Sequence, residues 1–169
     1  MIESMDSLQQ KNINCYSCVG LCCTFESNAM QVTPQEALDV LMLLHSQNRI
    51  NNELIKELQT TVTQYRLDKE LSTGRNSTLR RFYTCTFYKP GDKGCTLTKE
   101  DKPYGCLGYN AKEEKAVIQN QCGSDLSLLA LQDQSNQDDE WALKLKEELN
   151  LYWIKLPLPV ALLDLLSKV

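Results

Sequence analysis

The chain has 169 residues, 42% hydrophobic and 24% charged, enough to bury a core without disulfide staples and too ordinary for a low-complexity or fibrous protein. Lys plus Arg number 18 against 22 for Asp plus Glu, a net charge of −4 that argues against general nucleic-acid binding. A single histidine excludes a zinc site built on several imidazoles, and 8 cysteines make sulfur the chemistry to follow.

The opening MIESMDSLQQKNIN carries two acids and no apolar run, so it does not read as a signal peptide. The expected compartment is the cytoplasm, where eight thiols read as metal ligands or redox groups before they read as disulfides. An even count alone would also fit four disulfides.

The first cysteine group, C-Y-S-C-V-G-L-C-C, follows at Cys15, Cys18, Cys22 and Cys23. A helix is expected from Thr33, because Thr33-Pro34-Gln35-Glu36 is a capping box with proline in the first turn. Ala37, Leu38, Leu41 and Leu44 give it a buried stripe. After a short link near residues 47–50, a second helix should start at Asn51 or Asn52, bury Leu54, Leu58, Val62 and Tyr65, and fade near Ser72-Thr73-Gly74. The two make an antiparallel helical hairpin.

Thr78 to Tyr88 favours extended backbone, and Pro90-Gly91-Asp92-Lys93-Gly94 is a turn, which predicts a small hairpin around Cys85 and Cys95. Lys115 to Gln119 reads as another short strand. The C-terminal part returns to helix, with Trp141, Leu145, Leu149, Tyr152 and Leu156 at helical spacing. Its last stretch, LYWIKLPLPVALLDLLSKV, is apolar but broken by Lys155, Pro157, Pro159 and Asp164, so no membrane span is expected. The expected fold is mainly α with a small irregular β insert (α+β), the helical hairpin and C-terminal helices surrounding a cysteine-rich metal-binding core. A single domain, 1–169, would divide into a cysteine-cluster region, 15–122, and a C-terminal helical part, 123–169.

Two residues between Cys15 and Cys18 let both sulfurs turn onto one metal, as in zinc knuckles and iron–sulfur loops. Cys22 follows after three residues that include Gly20. Cys22 and Cys23 are neighbours whose side chains diverge, so one faces the first metal and the other faces a second metal or stays free. Cys85, Cys95, Cys106 and Cys122 are spaced too widely for a knuckle and must be gathered onto the first group by the fold. Gly94 before Cys95, and Pro103-Tyr104-Gly105 before Cys106, allow close backbone approach to a metal or its sulfides. Eight thiolates allow two four-ligand sites, or one site plus spare thiols. Plainer alternatives stand beside this: a buried structural zinc, core cysteines at Cys122 or one of the vicinal pair, and disulfides.

At these residues the chain resembles the YkgJ-type cysteine-cluster family, a zinc- or iron-chelating domain. The family's C-x2-C-x3-C-C signature is met by Cys15, Cys18, Cys22 and Cys23, and its helix start by Val32-Thr33-Pro34-Gln35-Glu36. Its later segments are matched by Cys85-Thr86-Phe87, Cys95-Thr96-Leu97 and Lys102-Pro103-Tyr104-Gly105-Cys106. Thr86, Thr98 and Lys102 replace the usual proline, tyrosine and arginine, and no thiol is lost. The flagellin lysine methylases carry a similar cluster, for which the resemblance implies an iron–sulfur centre. No Gly-rich S-adenosylmethionine loop is present here.

Other candidates are weaker. His45 sits at a helix end, where the dipole favours it. Arg75, Arg80 and Arg81 could neutralise a thiolate cluster or bind an anion, or simply be solvated. Asp138, Asp139 and Glu140 read as an acidic first turn, and Trp141, Tyr152 and Trp153 as packing. No phosphate loop, nucleophile elbow or dinucleotide fingerprint occurs. The sequence therefore points to an iron–sulfur cluster or zinc on Cys15, Cys18, Cys22, Cys23, Cys85, Cys95, Cys106 and Cys122, with a protein partner or substrate. A redox or protein-modifying role, a structural zinc interaction module and a lysine-methylase-like enzyme all remain open.

Overall fold

The computed structural model describes residues 21–69, 80–90, 94–98, 100–111, 122–124 and 140–168, together with 6, 7, 10, 11, 127 and 129–131. Helix α1, Pro34–Ser46, starts where its capping box puts it. Thr33 Oγ1 accepts the Glu36 N–H at 3.4 Å, and the Glu36 carboxylate accepts the Thr33 N–H at 2.9 Å. Such a cap contributes about 1 kcal/mol. Ala37, Val40, Leu41 and Leu44 are the buried stripe. Helix α2, Asn52–Tyr65, is capped by Asn51, whose Oδ1 accepts the Leu54 N–H at 2.8 Å, and it buries Leu54 and Leu58.

Three turns then stop helices by one device. At Asn48, Arg66 and Asn150 the backbone is left-handed, each with φ of 53°. Around Asn48, the Asn48 N–H reaches His45 O at 2.9 Å and the Arg49 N–H reaches Leu44 O at 2.8 Å. The same crossed pair runs from Arg66 to Thr63 and from Leu67 to Val62, and again from Asn150 to Glu147 and from Leu151 to Lys146. This is the Schellman pattern, which satisfies the last carbonyls of a helix. It ends α2 at Tyr65, well short of Ser72.

At the C-terminal side the same turn corrects an expectation. Trp141, Leu145, Leu149, Tyr152 and Leu156 do not share one helix, because α4, Glu140–Glu148, is closed at Asn150. Leu145 and Leu151 are buried, Trp141 is half exposed, and Tyr152 is 88% exposed. Leu156 belongs to a strand, and a separate helix, α5 (Leu158–Leu166), follows with Leu158, Ala161, Leu162 and Leu165 buried.

Among the described residues the β structure is three two-stranded antiparallel ribbons. Strand β1, Gln31–Val32, pairs with β6, Leu156–Pro157, Val32 lying opposite Leu156. The expected pairing near Cys95 is shorter than its sequence implied: β2, Tyr88–Lys89, faces β3, Gly94–Cys95, with Tyr88 opposite Cys95. Cys85 stays outside the ladder because Thr86 and Phe87 turn and the Tyr88 N–H bonds to Cys85 O at 3.0 Å. A third ribbon joins β4, Tyr109–Ala111, to β5, Cys122–Ser124. The strand expected over 115–119 lies outside the described residues. One further short helix, α3, spans Tyr104–Leu107.

Helix α5 packs against both α1 and α2, and α4 against α1. Their apolar faces meet Val32, Phe87 and Leu97 in one core, with Cys85 and Cys95 packed on its edge. The fold is mainly helical α+β. Among the described residues no helix is long and apolar enough to cross a membrane.

Arg66 is exposed and holds a left-handed backbone that only glycine adopts without cost. Arg66→Gly is expected to stabilise the protein by about 0.5–1 kcal/mol, a rise of roughly 2–4 °C in melting temperature. Thermal unfolding of the two proteins side by side checks this, and a drop would show that the Arg66 side chain matters more than its backbone.

Candidate metal centre

Cys22 and Cys23 lie in a 3-10 turn, Leu21–Cys23. Backbone bonds stitch the chain around this turn to the segment that carries Cys85. The Cys85 N–H donates to Cys23 O at 2.7 Å, and the Tyr83 N–H donates to Asn28 O at 2.9 Å. Thr84 Oγ1 accepts from the Phe25 N–H at 3.1 Å and from Tyr65 OH at 3.0 Å, fixing both to α2. The Cys22–Cys23 turn and Cys85, far apart in sequence, are therefore neighbours.

Cys95 arrives on β3. The next residue, Thr96, is gripped by Arg49, which donates to Thr96 O at 3.2 Å and to Thr96 Oγ1 at 3.0 Å. The guanidinium carbon also lies 5.9 Å from the centre of the Phe87 ring. Cys106 arrives on α3, whose first N–H, from Tyr104, donates to Glu36 Oε1 at 2.9 Å. The cap of α1 thus also holds the start of the Cys106 helix.

None of the five described cysteines is in a disulfide, and all are partly buried. Cys22 and Cys23 Sγ stand 4.0 Å apart, and Cys106 Sγ donates to Met30 Sδ at 2.9 Å. Bonding to Cys23, then burial, pushes the Cys22 thiol up. Burial pushes the Cys85 thiol up to about 12, helped by Cys95 and Cys22, while the N–H groups of Phe87 and Tyr88 favour its thiolate. Burial also pushes Cys106 well above the ordinary thiol range, with Cys85, Cys95 and Cys22 adding to it and Lys102 opposing. Thiols that raise one another's pKa share a neighbourhood, and it discourages charge until a cation enters.

Of the expected ligands, the fold brings Cys22, Cys23, Cys85, Cys95 and Cys106 into one region. Cys15 and Cys18 lie outside the described residues, as does the side chain of Cys122, whose backbone sits in β5 opposite Ala111. Among the described residues no group of three or more His, Cys, Asp and Glu side chains stands in ligand geometry. The donor chemistry of these thiols suits a soft metal. No protein-family model, curated protein or solved structure matches the chain.

The remaining candidates take ordinary roles. His45 is exposed in the last turn of α1. Arg81 Nε donates to Lys69 O at 3.0 Å, Arg80 is exposed, and Arg75 lies outside the described residues. Glu140 opens α4, with Asp138 and Asp139 outside the described residues. Trp153 Nε1 donates to Asp164 Oδ2 at 2.9 Å, a packing role as expected. Met30, Arg49 and the second bond of Glu36 were not singled out from sequence. Arg49 follows the helix stop at Asn48, but nothing local indicates that it reaches Thr96.

Two predictions follow from these supports. Arg49→Ala should cost about 1–2 kcal/mol of stability and speed thiol-reagent labelling of Cys95, because the fork on Thr96 is lost. Unchanged labelling would mean that the hairpin holds itself. Burial, resisted by the bonds from Thr33 and Tyr104, pushes the Glu36 carboxyl from its ordinary 4.5 up to about 7. A pKa raised on folding gives stability that is complete below 4.5 and is lost as pH rises through 7. Between those limits the wild type should lose about 3 kcal/mol relative to Glu36→Gln. Urea unfolding at pH 4.5 and 7.5 reads the difference directly, and parallel curves would refute it.

Proposed function

We propose that the chain is a cytoplasmic metal-binding protein that holds iron, as an iron–sulfur cluster, on thiolates drawn from both cysteine groups. What carries this is the bond from the Cys85 N–H to Cys23 O, which brings the Cys22–Cys23 turn to Cys85. The ionisation of that thiol is opposed by burial, with Cys95 and Cys22 adding to it. Buried thiols in that state gain most from a cation that displaces their protons. The spacing of Cys15, Cys18 and Cys22, and the likeness to the YkgJ-type proteins, point the same way. When bound, the cluster would supply electron transfer or sensing, or would support modification of a protein substrate. The chain's own residues hold the ligand-bearing segments: Arg49 at Cys95, Glu36 at Cys106, Thr84 beside Cys85.

A structural zinc site is the second reading, favoured by the packing of Cys85 and Cys95 on the edge of the core. The helical surface would then be the working part, facing a protein partner. A methylase-like activity has no S-adenosylmethionine loop to support it.

Metal and sulfide analysis with an absorption spectrum, on protein purified without oxygen, tests the proposal. A coloured sample with iron and sulfide, lost in Cys85→Ser and Cys106→Ser along with thermal stability, is the expected result. A colourless sample with stoichiometric zinc transfers the conclusion to the second reading. Wild-type protein with neither metal, or metal content indifferent to both substitutions, overturns the two together.

A further inference from the structure

Met30 is held at three points. Its N–H donates to Asn28 Oδ1 at 3.1 Å, its carbonyl accepts from Tyr83 OH at 2.9 Å, and its sulfur accepts from Cys106 at 2.9 Å. The side chain lies across Gly105, where a Cβ would come within 3.3 Å of Met30 Cγ and 3.6 Å of its Sδ. Met30 packs against the edge of the core, and its sulfur is the part of it turned to a thiol. Here the thioether faces the thiol of a residue whose neighbours include Cys22, Cys85 and Cys95.

A thioether is a soft, uncharged donor. It is a poor ligand for zinc(II) and a good one for copper(I), which thiolate and thioether sulfur select together. We propose that Met30 is a metal-binding residue of the sulfur site, paired with Cys106, and that the pair gives the site a preference for a soft monovalent cation of the copper(I) class over zinc(II). On binding, the Cys106 sulfhydryl proton leaves to solvent, and the metal takes its place between thiolate and thioether. The two sulfurs move apart to admit it, which the three rotatable bonds of methionine permit. This rests on the thiols binding metal, as proposed above, but not on which metal they hold in the cell.

The test titrates the full metal-free chain, without oxygen, with copper(I) against a chromophoric chelator and separately with zinc(II). Wild type, Met30→Leu and Cys106→Ser are compared. Met30→Leu is expected to lose roughly tenfold or more in copper(I) affinity with zinc(II) affinity unchanged, and Cys106→Ser to weaken both. A readout on the wild type covers the case in which Met30→Leu does not fold. In protein labelled at its methionine methyl groups, the Met30 signal, assigned with the help of Met5→Leu, Met42→Leu and a chain from which Met1 has been cleaved, should shift on adding silver(I) and stay in place on adding zinc(II). Equal copper(I) affinities with an unmoved methyl signal would overturn the inference and leave the thiolate reading standing. Equal losses for both metals would overturn it too, making Met30 a packing residue. If the wild type binds neither metal, the thiolate reading fails and this inference falls with it.

Discussion

One carboxylate ties the helical frame to the cysteine-bearing loops. Glu36 accepts from the Thr33 N–H, from Thr33 Oγ1 and from the Tyr104 N–H, so a single buried group starts α1 and anchors α3. Its three donors offset only part of the cost of leaving water, and its proton affinity rises accordingly. Lys155 eases that cost and also lies over the Tyr104 ring, 5.3 Å from its centre. A helix cap, usually a local matter, here spans from residue 33 to residue 104.

Around that anchor the thiols are arranged with little to balance a negative charge. Burial and their own proximity raise them, and Lys102 is the cation that opposes this at Cys22 and Cys106. The supports are made of ordinary polar bonds, Thr84 at one side and Arg49 at another, so the sulfur atoms do not have to hold the backbone themselves. Such a region can keep its outline while the side chains readjust to a guest. The Tyr88 N–H closes a turn on the Cys85 carbonyl at 3.0 Å, so the backbone there is held whatever the sulfur does.

What was legible in the sequence was what short-range chemistry decides. The Thr33 box and the Asn51 start each carry their own instructions within a few residues, and each appears where expected. The break at Asn150 was also written locally, as an asparagine after the last helical turn, but the apolar spacing beyond it continued in helical phase and concealed it. Pairings such as Arg49 with Thr96, Glu36 with Tyr104, or Met30 with Cys106 join residues tens of positions apart. No period or propensity encodes them. Around them β6 pairs with β1 and α5 packs on α1 and α2, closing the frame.

That closure bears on timing. Val32 finds its strand partner in Leu156, and Tyr83, which donates to the Met30 carbonyl, accepts the N–H of Leu158. During synthesis the N-terminal sulfur turn therefore emerges from the ribosome long before the residues that seat it. For that interval its thiols are presented to the cell on a chain without its closing strand and helix. Anything that reacts with those thiols early meets an open peptide, and anything that reacts late meets them half-buried in the closed frame.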